Sequence, residues 1–161
     1  MKQMNGKTEY YNRMLKLGEE YQDFIAKILF QQCALSIIPN FSQTYQITVG
    51  ENLQGIEIKY DQRFRDTQNF YIEMAEKTNA RNRNYIPSGI NRIDNTWLFL
   101  IGDYDGFYIF SKRLLIYLES IKPYRHVETA TSQGFLLPIE PDSELYYARK
   151  LTLNGDIWHI S

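Results

Sequence analysis

Between Gly55 and Lys77 the sequence sets acids and lysines at spacings that suit chemistry on a sheet surface. Ile56-Glu57-Ile58-Lys59-Tyr60-Asp61 alternates strictly, with Ile56, Ile58 and Tyr60 on one face and Glu57, Lys59 and Asp61 on the other. Phe70 to Lys77 does the same: Phe70, Ile72 and Met74 share one face, and Tyr71, Glu73, Ala75 and Lys77 the other. Two neighbouring alternating strands most simply form an antiparallel hairpin. With a symmetric connection, Asp61 lies opposite Glu73, Lys59 opposite Ala75 and Glu57 opposite Lys77. Opposed Cβ atoms sit about 4.5–5.5 Å apart. Two carboxylates that close repel, and a shared proton or a divalent cation relieves them. Hard oxygen ligands at this spacing suit Mg²⁺ or Mn²⁺, and a lysine one step along would steady an anionic transition state or orient a water. The competing reading is a solvated sheet face, with Glu57 and Lys77 an ordinary cross-strand pair.

Other chemistries have little to work with. There is no Gly-rich phosphate loop ending in Gly-Lys-Ser/Thr, no Gly-x-Gly-x-x-Gly, no Gly-x-Ser-x-Gly elbow and no Cys/His cluster with zinc spacing. The two histidines, His126 and His159, read as ordinary surface residues, and the lone Cys33 as a buried small apolar side chain. Carboxylates and lysines must carry any reaction.

The elements that would position them follow from periodicity. Thr8 to Gln32 predicts an amphipathic helix capped by Thr8, its apolar face formed by Tyr10, Met14, Leu17, Tyr21, Phe24, Ile25 and Ile28. Tyr45 to Val49 alternates as a strand between Pro39 and Gly50, ahead of the two charged strands. Thr78 to Tyr85 reads as a surface loop and Pro87-Ser88-Gly89 as a short helical turn. Trp97 to Ile101 is a continuous apolar run, the pattern of a strand buried on both faces. A turn over Gly102 to Gly106 leads to a strand, Phe107 to Phe110, and Ser111 caps a helix from Lys112 to Ile121 that Pro123 ends. The tail, Phe135 to Ile139 and Leu145 to Trp158, holds short pieces that read as two further strands. This order predicts an α/β or α+β domain, a central mixed sheet flanked by helices, spanning residues 1–161 as one unit.

The order of a helix with acids, a strand ending in Asp and a strand carrying Glu resembles the PD-(D/E)XK nuclease superfamily, over roughly residues 15 to 120. The resemblance implies a restriction endonuclease-like fold and an Mg²⁺- or Mn²⁺-dependent endonuclease acting on DNA. It makes Asp61 and Glu73 the metal ligands, with a third acid from Gly18-Glu19-Glu20-Tyr21-Gln22. At about 100° per residue, Glu20 lies at the edge of the apolar face and Glu19 points outward, so Glu20 is the expected third ligand, with Gln22 at the opposite edge. The family lysine should follow its acid by two residues, where this chain has Ala75. Lys59, opposite Ala75 in the assumed register, is the first substitute and Lys77, further along the face, the second. Reading Glu57-Ile58-Lys59 itself as the Glu-x-Lys motif leaves Glu51 or the segment before it to supply the upstream acid. A homodimer would provide the two active sites needed to cut both strands. The departure at Ala75 also supports an inactive nucleic-acid- or protein-binding module on the same fold, and the high aromatic content a small-molecule-binding domain.

Composition bounds these options. The chain has 161 residues, with 18 Lys and Arg against 19 Asp and Glu, which argues against a basic coat for non-specific nucleic-acid binding. Arg63, Arg65, Arg81, Arg83 and Arg92 fall in connections near the charged strands, where guanidinium forks would either match phosphate oxygens or simply keep exposed loops solvated. The longest apolar run, Trp97 to Ile101, is far short of the ~18 residues of a membrane span. With one cysteine and no apolar segment near Met1, a cytoplasmic location and no membrane partner are expected.

Overall fold

A computed structural model describes residues 2–139, 149–154 and 157–160. It is a mixed α/β structure with two sheets and, among the described residues, four α-helices. Strands β1 (Ile56–Tyr60), β4 (Leu98–Asp103), β5 (Gly106–Ser111), β8 (Arg149–Asn154) and β9 (Ile157–Ile160) form one sheet in that order, β1 parallel to β4 and the rest antiparallel. The second sheet runs β3 (Ile86–Pro87), β2 (Asn69–Glu76), β7 (Ser132–Pro138) and β6 (Arg125–Glu128), all antiparallel.

Strand alternation builds the layers. Helix α1 (Lys2–Cys33) lays Tyr21, Ile25, Ile28 and Leu29 on Ile56, Ile58, Leu100 and Phe107, one face of the first sheet. The opposite face, with Phe99, Ile101 and Phe110, meets Phe70, Ile72, Phe135 and Leu137 of the second sheet. Leu115 and Leu118 of α4 (Lys112–Ile121) complete that core. Strand β4 therefore contributes to both cores, which is why its sequence is a continuous apolar run. The Ser111 cap forms as predicted, its Oγ accepting the Leu114 N–H at 3.3 Å. Ser111→Ala should cost about 1 kcal/mol, measured as a shift in the urea midpoint.

Several expectations change. α1 begins at Lys2, so Thr8 is an interior residue rather than its cap. The predicted strand at Tyr45 to Val49 is instead a short helix, α2 (Gln43–Thr48). Its Tyr45 and Ile47 are exposed, so the alternation there reflects no buried face. Cys33 is exposed at the end of α1, not buried. The largest correction concerns the hairpin. β1 and β2 belong to different sheets: Glu57 lies beside Phe99 and Lys59 beside Ile101, while Glu73 lies beside Gly134 and Ala75 beside Gln133 and Pro87. The connection is not a turn. It contains α3 (Phe64–Thr67), whose Phe64 is buried in the core between the sheets and stacks on Phe70 at 4.8 Å. Burying that ring carries the chain from one sheet to the other. In the tail three strands, β7, β8 and β9, stand where two were expected, and residues 140–148 and 155–156 lie outside the described residues.

Candidate active site

Although β1 and β2 do not pair, Lys59, Asp61 and Glu73 line one cavity of about 290 Å³. Phe99 and Ile101 of β4 and Ile72 of β2 contribute apolar lining, and Tyr60, Tyr71 and Gly89 the remainder. β1 is the edge strand of its sheet, so side chains on its charged face reach the gap beside β2. Asp61 is fixed just past β1: its N–H donates to the Gly102 carbonyl at 2.9 Å, and its Oδ1 accepts the Arg63 N–H at 2.9 Å. That Asx-type turn closes one side of the carboxylate and leaves the other to the cavity.

Glu73 is held by two hydroxyls. The buried Ser88 Oγ donates to its Oε1 at 2.7 Å, and Ser132 Oγ donates to its Oε2 at 2.8 Å while lying 2.6 Å from the Tyr71 hydroxyl. Ser88 is brought there by its N–H bond to the Met74 carbonyl at 3.0 Å and by Gly89, which opens the 3₁₀ turn Gly89–Asn91. Gly89 has φ +49°, and a Cβ on it would collide with the Glu73 carbonyl. Gly89→Ala should cost about 2 kcal/mol, a strained left-handed residue plus a displaced strand, read as a lowered melting temperature.

Lys59 is the cation of the site. Its Nζ lies 2.7 Å from Glu57 Oε1 and 3.9 Å from Glu51 Oε1. Burial works against the ammonium, yet the charges of Glu57 and Glu51, the hydrogen bond to Glu57 and the charge of Glu73 outweigh it, so Lys59 is held above the usual lysine range. Burial pushes Glu51 above the usual carboxylate range; Lys59 pulls it down and Glu57 adds to the rise. Glu57 is fully buried, and apart from this ion pair neither of its carboxylate oxygens has a hydrogen-bond partner among the described residues. A buried carboxylate with so few partners is costly.

The other expected residues lie elsewhere. Lys77 sits 4.1 Å over the Tyr85 ring and does not line the cavity. A β-bulge between Glu73 and Ala75 breaks the alternation that was to keep them on one face. Glu20 is half-exposed and paired with Lys16 at 3.6 Å on α1. Gln22 lines a separate hollow with Glu51. Arg65 is tied to Asp103 by two bonds of 2.6 and 2.8 Å, and Arg92 lies 3.4 Å from Glu76. His126 lies 3.6 Å from Glu119. The sequence did not mark Ser88 and Ser132 as site residues, because each reaches Glu73 only through tertiary packing. Among the described residues no three His, Cys, Asp or Glu side chains are grouped to hold a metal ion, and no helix is long and apolar enough to cross a membrane.

Comparison of the chain with protein-family models, with curated proteins and with solved structures gives no match.

Proposed function

We propose that this cavity hydrolyses phosphodiester bonds in DNA with the help of Mg²⁺ or Mn²⁺. The observation that carries the reading is the meeting of Lys59, Asp61 and Glu73 in one cavity. In the same reading, the mixed β1–β4–β5 sheet with α1 against it is the counterpart of the restriction endonuclease-like core. Asp61 and Glu73 would hold the ion. Two carboxylates suffice, because Mg²⁺ commonly takes one or two from the protein and the rest of its oxygens from phosphate and water. Held there, such an ion would supply a water of lowered pKa and a positive charge to offset that on the phosphate.

The protein's own groups have distinct tasks. The Ser88 and Ser132 hydroxyls keep the Glu73 carboxylate aimed while it is charged. Lys59, held protonated by its acidic neighbours, acts as a fixed positive charge toward the phosphate and not as a proton acceptor. The apolar lining from Phe99 and Ile101 limits water around it.

A second assignment of the ion keeps the reaction and moves the ligands. Glu57 is buried with a single charged partner, and Glu51 approaches the same lysine. A cation there would meet Oε2, the Glu57 oxygen not paired with Lys59, with Glu57-Ile58-Lys59 as the Glu-x-Lys element.

Hydrolysis of bis(p-nitrophenyl) phosphate by the full chain tests the reading: it should require Mn²⁺ or Mg²⁺ and stop with EDTA. Ion binding without hydrolysis would instead favour an inactive binding module on this fold.

A further inference from the structure

A second hollow, of about 450 Å³, opens beside the cavity and shares Tyr60, Asp61 and Tyr71 with it. Arg13 reaches it from α1, Arg63 from the start of α3, and Gln62 and Asn69 add amide groups. Among the described residues, Asp61 is the only acid along its walls, and that carboxylate is shared with the cavity.

The arginines differ from other cations nearby. Arg65 is held by Asp103, Arg92 lies at Glu76, Lys112 bonds Asp94 and Lys59 bonds Glu57. Arg13 and Arg63 are exposed and, among the described residues, form no ion pair. Two uncommitted guanidinium forks at a groove that runs into the cavity match successive phosphates of one strand.

Resting on the reading of the cavity as a phosphodiesterase, we infer that the Arg13–Arg63 groove holds the nucleic-acid strand next to the bond being cut. The substrate is then a polynucleotide, gripped outside the reacting phosphate, whereas a small diester is cut without help from the groove.

The test is fluorescence-anisotropy binding of a labelled single-stranded oligodeoxynucleotide to the full chain, with Ca²⁺ replacing Mg²⁺ to suppress cutting. Arg13→Gln/Arg63→Gln is compared with the charge-matched Arg81→Gln/Arg83→Gln in the 78–85 loop. The groove variant should lose about tenfold in affinity, and its salt slope should fall by about 1.4, from two phosphate contacts on a single strand. The loop variant should bind like the native chain. Running an oligoribonucleotide of the same sequence shows which kind of strand supplies the phosphates. Failure of the native chain to bind either strand, or equal losses in both variants, overturns the inference. Hydrolysis of bis(p-nitrophenyl) phosphate separates the two claims. If the groove variant loses the strand but the native chain cuts no diester, the groove stands and the phosphodiesterase reading falls. If the native chain cuts the small diester and the groove variant binds the strand normally, the reverse holds.

Discussion

Lys59→Met should destabilise the protein by about 3 kcal/mol, because it strips the buried Glu57 carboxylate of its countercharge. Breaking one side of a buried pair commonly costs about 3–5 kcal/mol, most of it the penalty for the charge left behind. The lower end applies because the Lys59 side chain is 41% exposed, although Glu57 itself is fully buried. Among the described residues no second donor stands ready, since the carboxylate has no hydrogen-bond partner besides that ammonium contact. The remedy follows from the same physics. Adding Glu57→Gln to Lys59→Met removes the stranded charge and should recover more than half of the loss. Urea unfolding of the native chain, both single variants and the double variant measures this coupling directly. Additive losses would mean that Glu57 does not depend on Lys59.

Glu73→Gln and Asp61→Asn should each lower phosphodiester hydrolysis by about a thousandfold with the fold intact. Metal-assisted charge stabilisation contributes several kcal/mol, and at 1.36 kcal/mol per tenfold a loss of about 4 kcal/mol gives that factor. Neither replacement changes shape. In Glu73→Gln the new amide keeps one oxygen for a serine hydroxyl and turns its nitrogen toward the other, which costs about 1 kcal/mol of stability. In Asp61→Asn the amide retains an oxygen for the Arg63 N–H. Single-turnover rates together with circular dichroism check both halves of the expectation. The second ion assignment makes the opposite prediction: Glu57→Gln would carry the thousandfold loss, and Glu73→Gln would be mild.

Local signals reached far along this chain where one element decided the outcome. The cap at Ser111 and the apolar run through β4 are read correctly because a capping hydroxyl and burial on two faces leave their marks in adjacent residues. Lys59, Asp61 and Glu73 meet even though the assumed hairpin is absent. Alternation put Lys59 on the charged face of its strand and Glu73 on the polar face of the next, whichever strands they pair with. Pairing itself was beyond local reading. It turned on Phe64, one apolar residue in a polar connection, whose burial takes the chain to the second sheet. The bulge after Glu73 likewise depends on β7, and it removes Lys77 from the face that periodicity gave it. The serines that aim Glu73 come from turns distant in sequence and carry no motif of their own.

The measurement that bears most directly on the central claim is nicking of circular duplex and single-stranded DNA by the native chain in Mn²⁺ and Mg²⁺, beside Asp61→Asn and Glu73→Gln chains prepared identically. The cavity reading predicts ion-dependent cutting by the native chain and none by either variant. No cutting by the native chain under either ion, or equal cutting by all three, would contradict it.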